Sequence, residues 1–413
     1  MKKKIFFLFF VLAVIVLHAE DGYRLWLRYD KIDDIALLSK YRSLINSIYM
    51  EGSSATLDIA KKELLTGLEG LLDKKITTTN SISDHSIIIF TKQKEQTKNT
   101  IHYDLLGKDG FSLFTFDSQK KIIAITANTD IGVLYGVFQF LRLLQTHQNV
   151  ETISITSFPK IQNRILDHWD NLNRTIERGY AGISIWNWHL LPGYIDHRYI
   201  DYARANASIG INGTVLTNVN ANALVLTKQY LEKVAALANL FRPYGIRVYL
   251  TARFSAPVEI GGLKTADPLD QDVQKWWKQK VDEIYSYIPD FGGFLVKANS
   301  EGQPGPQTYG RSHADGANMF ADALAPHGGI VIWRAFVYDV RPQKKDENFG
   351  SGKIDANAPN IASDDRAKQA FSEFKPLDGK FRNNVLLQVK NGPIDFQPRE
   401  PFSPLFGAMK QTP

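Results

Sequence analysis

The sequence has no cysteine in 413 residues. That absence removes disulfide frameworks, zinc–thiolate centres and thiol nucleophiles together. Histidine is sparse, nine in all, with no HExxH and no pair at ligand spacing, so no metal site is expected. No glycine fingerprint follows the first barrel-like strand, which argues against dinucleotide binding. No GxSxG elbow is present, which argues against a serine hydrolase. "FGSGK" at 349–353 falls short of GxxxxGK[ST] and reads as a surface turn. No cofactor is expected. A basic face is lacking too: the formal net charge of +6 falls to +3 without Lys2, Lys3 and Lys4. The other cations are scattered among acidic neighbours, so nucleic-acid binding is not expected.

What is present begins with a leader. "MKKKIFFLFFVLAVIVLHAE" joins three lysines to about thirteen apolar residues and a small Ala19, the form of a secretory signal peptide and too short for a stable membrane span. Residues 1–19 are therefore expected to be removed. The mature protein is expected to be exported, periplasmic or secreted, with no membrane attachment. Apolar residues at 44% and aromatics at 12% supply ample core.

Residues 20–155 read as an N-terminal α+β domain. "TLDIAKKELLTGLEGLL" has helical spacing, while "HSIIIF", "FSLFTF" and "KIIAITA" are short β-branched and aromatic runs. "DIGVLYGVFQFLRLLQ" reads as a second helix with Asp130 as its N-cap. The order of elements suggests a sheet with helices on one face, and "SFPKIQNR" supplies a Pro-marked linker. From 160 to 413 the rhythm changes. "RILDHWDN", "GTVLTNVN", "IRVYLTARF", "GFLVKANSE", "GIVIWRAFVY" and "NVLLQVKNGPIDF" are apolar strands ending in polar residues, separated by helical stretches. Continuous apolar strands alternating with helices imply a buried parallel sheet. Six βα units in a row fit an incomplete TIM (β/α)8 barrel better than a doubly wound sheet. Trp276 and Trp277 fall in a helical pattern and are expected to pack.

A barrel places its chemistry where the C-terminal ends of the strands share one mouth. Those ends carry His168-Trp169-Asp170, Asn218-Val219-Asn220, Arg253, Lys297 through Glu301, Arg334, and Lys390 through Asp395. Each has a bland alternative: Glu301 as a solvated loop residue, Lys297 and Lys390 as surface charges, Trp169 as packing. Convergence on one rim favours function. Two carboxylates suit glycoside hydrolysis, in which one carboxyl protonates the leaving oxygen and the other activates or replaces water. Three cations, Lys297, Arg334 and Lys390, suit a sugar that bears its own carboxylate. Trp169 offers a face for a pyranose ring.

"DHWDNLNRTIERGYAGISIW", "LVKANSEGQPGPQTYGRSHADGANMFADAL", "VIWRAFVYD", "DRAKQAFSEFKPLDGKF" and "QVKNGPIDFQPREPFSPLFGAM" closely resemble the α-glucuronidases of glycoside hydrolase family 67. The resemblance covers most of the chain from residue 160 onward. It implies inverting release of glucuronic acid, or its 4-O-methyl ether, α-1,2-linked to the non-reducing terminal xylose of xylo-oligosaccharides. It implies Glu301 as general acid and Asp395 as one of two carboxylates that place and activate water. Lys297, Arg334 and Lys390 match contacts to the sugar or its carboxylate, Trp169 a ring-facing aromatic, and Val219 an apolar neighbour of the 4-O-methyl group. Asp170 and Asn299, on the same strand ends, join the expected substrate-binding set. The expected partners are glucuronic-acid-substituted xylo-oligosaccharides.

The sequence departs from the family pattern in one respect. The second water-handling carboxylate, a Glu on the next strand, is missing, as are the last strand and a helical C-terminal domain. The chain is therefore expected to be truncated, poorly soluble and inactive alone, with a homodimer only for a full-length form. Two alternatives stay open at this point: a hexosaminidase-like enzyme, and a non-catalytic fragment that binds acidic oligosaccharides.

Overall fold

Among the described residues two six-stranded sheets follow one another in sequence order. The computed structural model describes residues 22–91, 101–220, 222–299, 304–335, 366–391 and 402–413. The expected signal peptide at 1–19 and the turn at 349–353 lie outside the described residues. No helix among the described residues is long and apolar enough to cross a membrane.

The first sheet has the order β2-β1-β3-β5-β4-β6. Its strands are β1 Ser47–Met50, β2 Thr77–Thr78, β3 Ser86–Thr91, β4 Phe111–Asp117, β5 Ile122–Ala127 and β6 Ser154–Ser157. β4 runs antiparallel to β5 and β6, and the remaining pairs are parallel. The longer helices are α1 Ile35–Leu44, α2 Ala55–Leu72 and α3 Asp130–Gln145. Strand alternation puts Ile87, Ile89, Ile123 and Ile125 into the main core with α2 and α3. Ile88, Phe90, Ile122 and Ala124 form a second cluster on the other face. α2 and α3 approach closely because Gly67 has no side chain: a Cβ there would lie 2.5 Å from Leu141 Cδ2.

The start of α3 corrects one expectation. The cap is Thr129, whose hydroxyl accepts the Gly132 N–H at 3.1 Å. Asp130 is the first helical residue, and its carboxylate accepts from Ser54 Oγ at 2.7 Å. Ser54 is itself the cap of α2, accepting the Leu57 N–H. Both residue types cap well, so the pattern was off by one position.

The second sheet contains β7 Ile165–Asp167, β8 Gly213–Val215, β9 Arg247–Thr251, β10 Gly293–Val296, β11 Ile330–Arg334 and β12 Val385–Gln388. They lie side by side in chain order, every pair parallel. Between successive strands come α4 His197–Ser208, α5 Lys228–Phe241, α6 Gln271–Tyr287, α7 His313–Leu324 and α8 Arg366–Phe374. This is an incomplete (β/α)8 barrel of six strands. Val215, Tyr249, Leu295 and Ile332 form an inner cluster with Val219 and Trp169. Phe294, Val296, Val331 and Trp333 join the main core with the helices. Trp277 is fully buried, 4.4 Å from the Phe320 ring, so that part of α6 is packing. Gly293 adopts φ +132°, and a Cβ there would come within 1.9 Å of Ile330 O, so β10 and β11 pair only with glycine at that point.

The halves are tied by charge. Arg204 of α4 grips Glu63 of α2 through two bonds, at 2.7 and 2.8 Å, while the Tyr29 hydroxyl donates to Glu63 at 2.6 Å. Burial, then the Glu63 charge, pushes the Tyr29 phenol far above its usual range. Arg164, just before β7, pairs with Asp109 at 2.6 Å.

Candidate active site

Alternation along each strand decides which polar residue faces which space. After β7, Trp169 turns to the inner cluster, while His168 and Asp170 turn away. His168 lies 5.2 Å from the Trp186 ring and 5.4 Å from Tyr202. Its Nε2 meets the Tyr202 hydroxyl at 2.8 Å, and that hydroxyl meets Thr214 Oγ1 at 2.8 Å. Burial drives the Tyr202 phenol strongly upward; the Thr214 bond opposes this and the Asp170 charge adds to it. Asp170, 4% exposed, accepts from Ser184 Oγ, and its Oδ1 lies 3.5 Å from His168 Nδ1. Asp170 thus braces the loop after β7 while also lining a cleft beside the barrel mouth.

The cations come from β10, β11 and the segment after β12. Lys297 is 6% exposed and donates to Asn220 Oδ1 at 2.7 Å. Arg334 is also 6% exposed; its guanidinium carbon stands 5.6 Å from the Trp169 ring centroid, with Nη1 3.9 Å from Asp167 Oδ2. Burying cations is costly in the absence of compensating charge. Stacking of Arg334 on Trp169 recovers part of that cost. Val219, buried, shares the inner cluster with Trp169. Lys390 is half-buried, two residues past Gln388, which pairs with Arg334 across β11–β12.

Asn299 follows Lys297 by two residues and takes a left-handed φ of 50°. Gly305 lies against it, so closely that a Cβ there would be 2.5 Å from Asn299 Cγ. The Asn299 Nδ2 is buried, with no hydrogen-bond partner among the described residues.

Trp169, Val219, Lys297 and Arg334 are therefore brought to one mouth, with Asn299 and Lys390 on the adjoining strand ends. Asp170 belongs to the neighbouring cleft. Glu301 and Asp395 lie outside the described residues. Among the described residues no His, Asp and Glu cluster has the form of a metal site.

The neighbouring cleft went unrecognised in the sequence. It encloses about 670 Å³ and is lined in part by Asn173, His189, Asn220, Asn222, Tyr230 and Arg253. Its legible signals were the run "TNVNAN" at 217–222 and the strand-end residues Asp170 and Arg253. The other residues come from loops and from the start of α5, without periodicity.

Comparison with known proteins covers both halves. Glycosyl hydrolase family 67 N-terminus matches residues 25–140, and Glycosyl hydrolase family 67 middle domain matches residues 143–413. Probable alpha-glucuronidase A of Aspergillus flavus is 40% identical over 402 residues, covering 95% of this chain and 45% of the relative. Alpha-glucuronidase A of Emericella nidulans is 41% identical over 407 residues, covering 95% and 46%. The chain thus spans less than half the length of these curated relatives. The solved structure of CpGH84D covers 84% of this chain and 52% of its own at 11% identity and a TM-score of 0.51; it is a likeness of fold alone.

Proposed function

The chain belongs to glycosyl hydrolase family 67, and from that premise we propose that its protein releases glucuronic acid, or the 4-O-methyl ether, α-1,2-linked to the non-reducing terminal xylose of xylo-oligosaccharides. The observation that carries this reading is the pair of nearly buried cations, Lys297 and Arg334, set beside Trp169 and Val219 at one barrel mouth. A neutral sugar accepts hydrogen bonds from such cations but brings no opposite charge. A uronate supplies the matching charge.

In the proposed chemistry Glu301 gives its proton to the glycosidic oxygen as the C1–O bond breaks. Asp395, with a second carboxylate, takes a proton from the water that attacks C1 from the opposite face. The sugar then leaves with inverted configuration. Such a pair stands roughly 6.5–9.5 Å apart, leaving room for the water. Lys390 and Arg334 favour the ionised form of Asp395. Glu301, two residues beyond Asn299, needs burial or neighbouring negative charge to stay protonated beside Lys297. Lys297, Asn299, Arg334 and Lys390 bind the uronate, Trp169 faces its ring, and Val219 meets the 4-O-methyl position. The leader supports export, and the change of rhythm supports domains at 20–155 and 160–413.

The test follows aldotriuronic acid by proton NMR, using a form of the protein as long as its relatives. Glucuronate should appear first as the β-anomer, and Glu301→Gln should lower the rate about 10³-fold. Release as the α-anomer, or an unaffected Glu301→Gln variant, would overturn the mechanism.

A further inference from the structure

His313 opens α7 and is 1% exposed, a buried imidazole that takes no part in the proposed chemistry. Its ring is wedged in place. It stacks on Phe374 of α8 at 4.5 Å and 22°, and meets the Trp333 ring of β11 edge-on at 5.8 Å. The Trp333 indole Nε1–H donates to His313 Nδ1 at 3.2 Å. An indole nitrogen can only donate, so Nδ1 accepts, and the proton of the neutral ring sits on Nε2. Nε2 stands 2.9 Å from Glu373 Oε1, a close polar contact though not an aligned hydrogen bond. A second proton, on Nδ1, would set donor against donor and break the Trp333 bond.

Two routes lead from this ring to the mouth. Trp333 and Arg334 are consecutive on β11, so the strand turns the indole into the core beneath the helices and the guanidinium toward Trp169. Fixing the one fixes the backbone that aims the other. The second route runs through Glu373, whose Oε1 also accepts from Gln307 Nε2 at 2.7 Å. Gln307 belongs to the short turn Pro306–Tyr309, and Gly305 just before it lies against Asn299. The packing between the routes leaves little slack. A Cβ at Gly316, three residues after His313, would lie 2.3 Å from Pro306 Cγ and 3.0 Å from Trp333 Cη2. The start of α7 is itself held by Ser312 Oγ, which accepts the Asp315 N–H at 3.2 Å, and by Asp315 Oδ2, which accepts the Ser312 N–H at 2.9 Å.

From this geometry we propose that His313, in its neutral Nε2–H form, is a positioning residue for uronate binding: it holds the Trp333 indole and through it sets the aim of Arg334. Glu373 selects the tautomer, because a carboxylate beside Nε2 favours the proton on that nitrogen. The same carboxylate ties the turn after Asn299 to α8 through Gln307. A guanidinium gains most from a carboxylate when its planar fork is already oriented. His313 does not touch the sugar. The inference rests on the reading of Lys297 and Arg334 as uronate-binding cations, and adds to it the group that keeps one of them in place.

The test titrates the 413-residue chain by calorimetry with sodium D-glucuronate and, separately, with D-glucose. His313→Phe keeps the stacking on Phe374 and removes the acceptor; it should weaken glucuronate about tenfold and leave glucose within about twofold. His313→Asn places an amide oxygen near the position of Nδ1 and should recover most of that loss. A purely structural role would lower the unfolding midpoint of both variants without this split and without the rescue. If His313→Phe fails to fold, which circular dichroism reports, the wild-type chain carries the test. At about pH 8, where an ordinary imidazole is neutral, nitrogen-15 NMR should find the His313 proton on Nε2 and the Trp333 indole N–H protected from exchange. Equal losses for both sugars, no rescue by His313→Asn, or a proton on Nδ1 overturns the proposal. A wild-type preference for glucuronate that His313→Phe leaves intact removes this inference alone. A wild-type chain that binds the two sugars equally removes the uronate reading, and this inference with it.

Discussion

The two halves of the molecule are both six-stranded sheets with helices, yet they treat buried charge differently. In the N-terminal half Glu63 is the buried carboxylate among the described residues, and it is fully occupied by Arg204 and Tyr29. In the barrel half Lys297, Arg334 and Asp170 are all buried within a few residues of the C-terminal ends of the strands. One pattern fastens two units together. The other gathers charges at a shared rim, where a parallel barrel brings its strand ends to one place. Buried charge by itself therefore does not mark a site; its convergence on one rim does.

The sharpest way to break this contrast is to remove the fastening. Glu63→Gln leaves the Arg204 cation partly buried without its counter-charge and should cost about 3 kcal/mol in urea unfolding. D-glucuronate affinity should stay as it was, since Glu63 lies outside the mouth. A loss well under about 1 kcal/mol, the scale of an exposed ion pair, would mean the contact is not a fastening at all. At the mouth the balance reverses. Lys297→Met should weaken D-glucuronate binding about 10- to 100-fold, the scale of a charged hydrogen bond, with little change in unfolding midpoint. A large loss of stability would place Lys297 with Glu63 as a structural charge.

Smaller effects sharpen the description of the N-terminal half. Thr129→Ala should cost about 1 kcal/mol by loss of the α3 cap. Asp130→Ala should cost less through the helix dipole, about 0.3–1 kcal/mol, plus whatever its bond to Ser54 adds. The reverse order would restore Asp130 as the cap. The smallest effect concerns acid. Burial alone would raise the Asp378 carboxyl, but the backbone N–H groups of Gln411 and Lys410, with the Lys375 ammonium, outweigh it and hold the pKa at about 2, below the ordinary 3.8. A depressed carboxyl contributes stability that is fully present above its unfolded value and is lost as the pH falls through the folded one. Docking of residues 402–413 should therefore persist at pH 5 and loosen toward pH 2, read as faster amide hydrogen exchange at Lys410 and Gln411. The same protection at pH 2 as at pH 5, after correction for intrinsic exchange, would contradict it.

The six barrel strands were legible because buried parallel strands read as unbroken apolar runs ending in polar residues. Helices α5 and α6 carry clear periodic faces. α4 and α7 bury mainly small residues, such as Ala203, Ala207, Ala317 and Ala321, and so give a faint pattern. The rim cations were legible because each follows a strand end. The cleft was not, since Asn173 and His189 come from the long loop after β7 and Tyr230 from a helix start. Their meeting depends on tertiary placement that no local pattern encodes.

The central claim is that the barrel mouth selects a sugar by its carboxylate. Competitive titration of the 413-residue chain with D-glucuronate and D-glucose tests it most directly, because the two differ only at C6. The account predicts that glucuronate binds at least tenfold more tightly, and that the preference collapses in Lys297→Met. Equal affinity for the two sugars, or a preference that survives Lys297→Met intact, would contradict it.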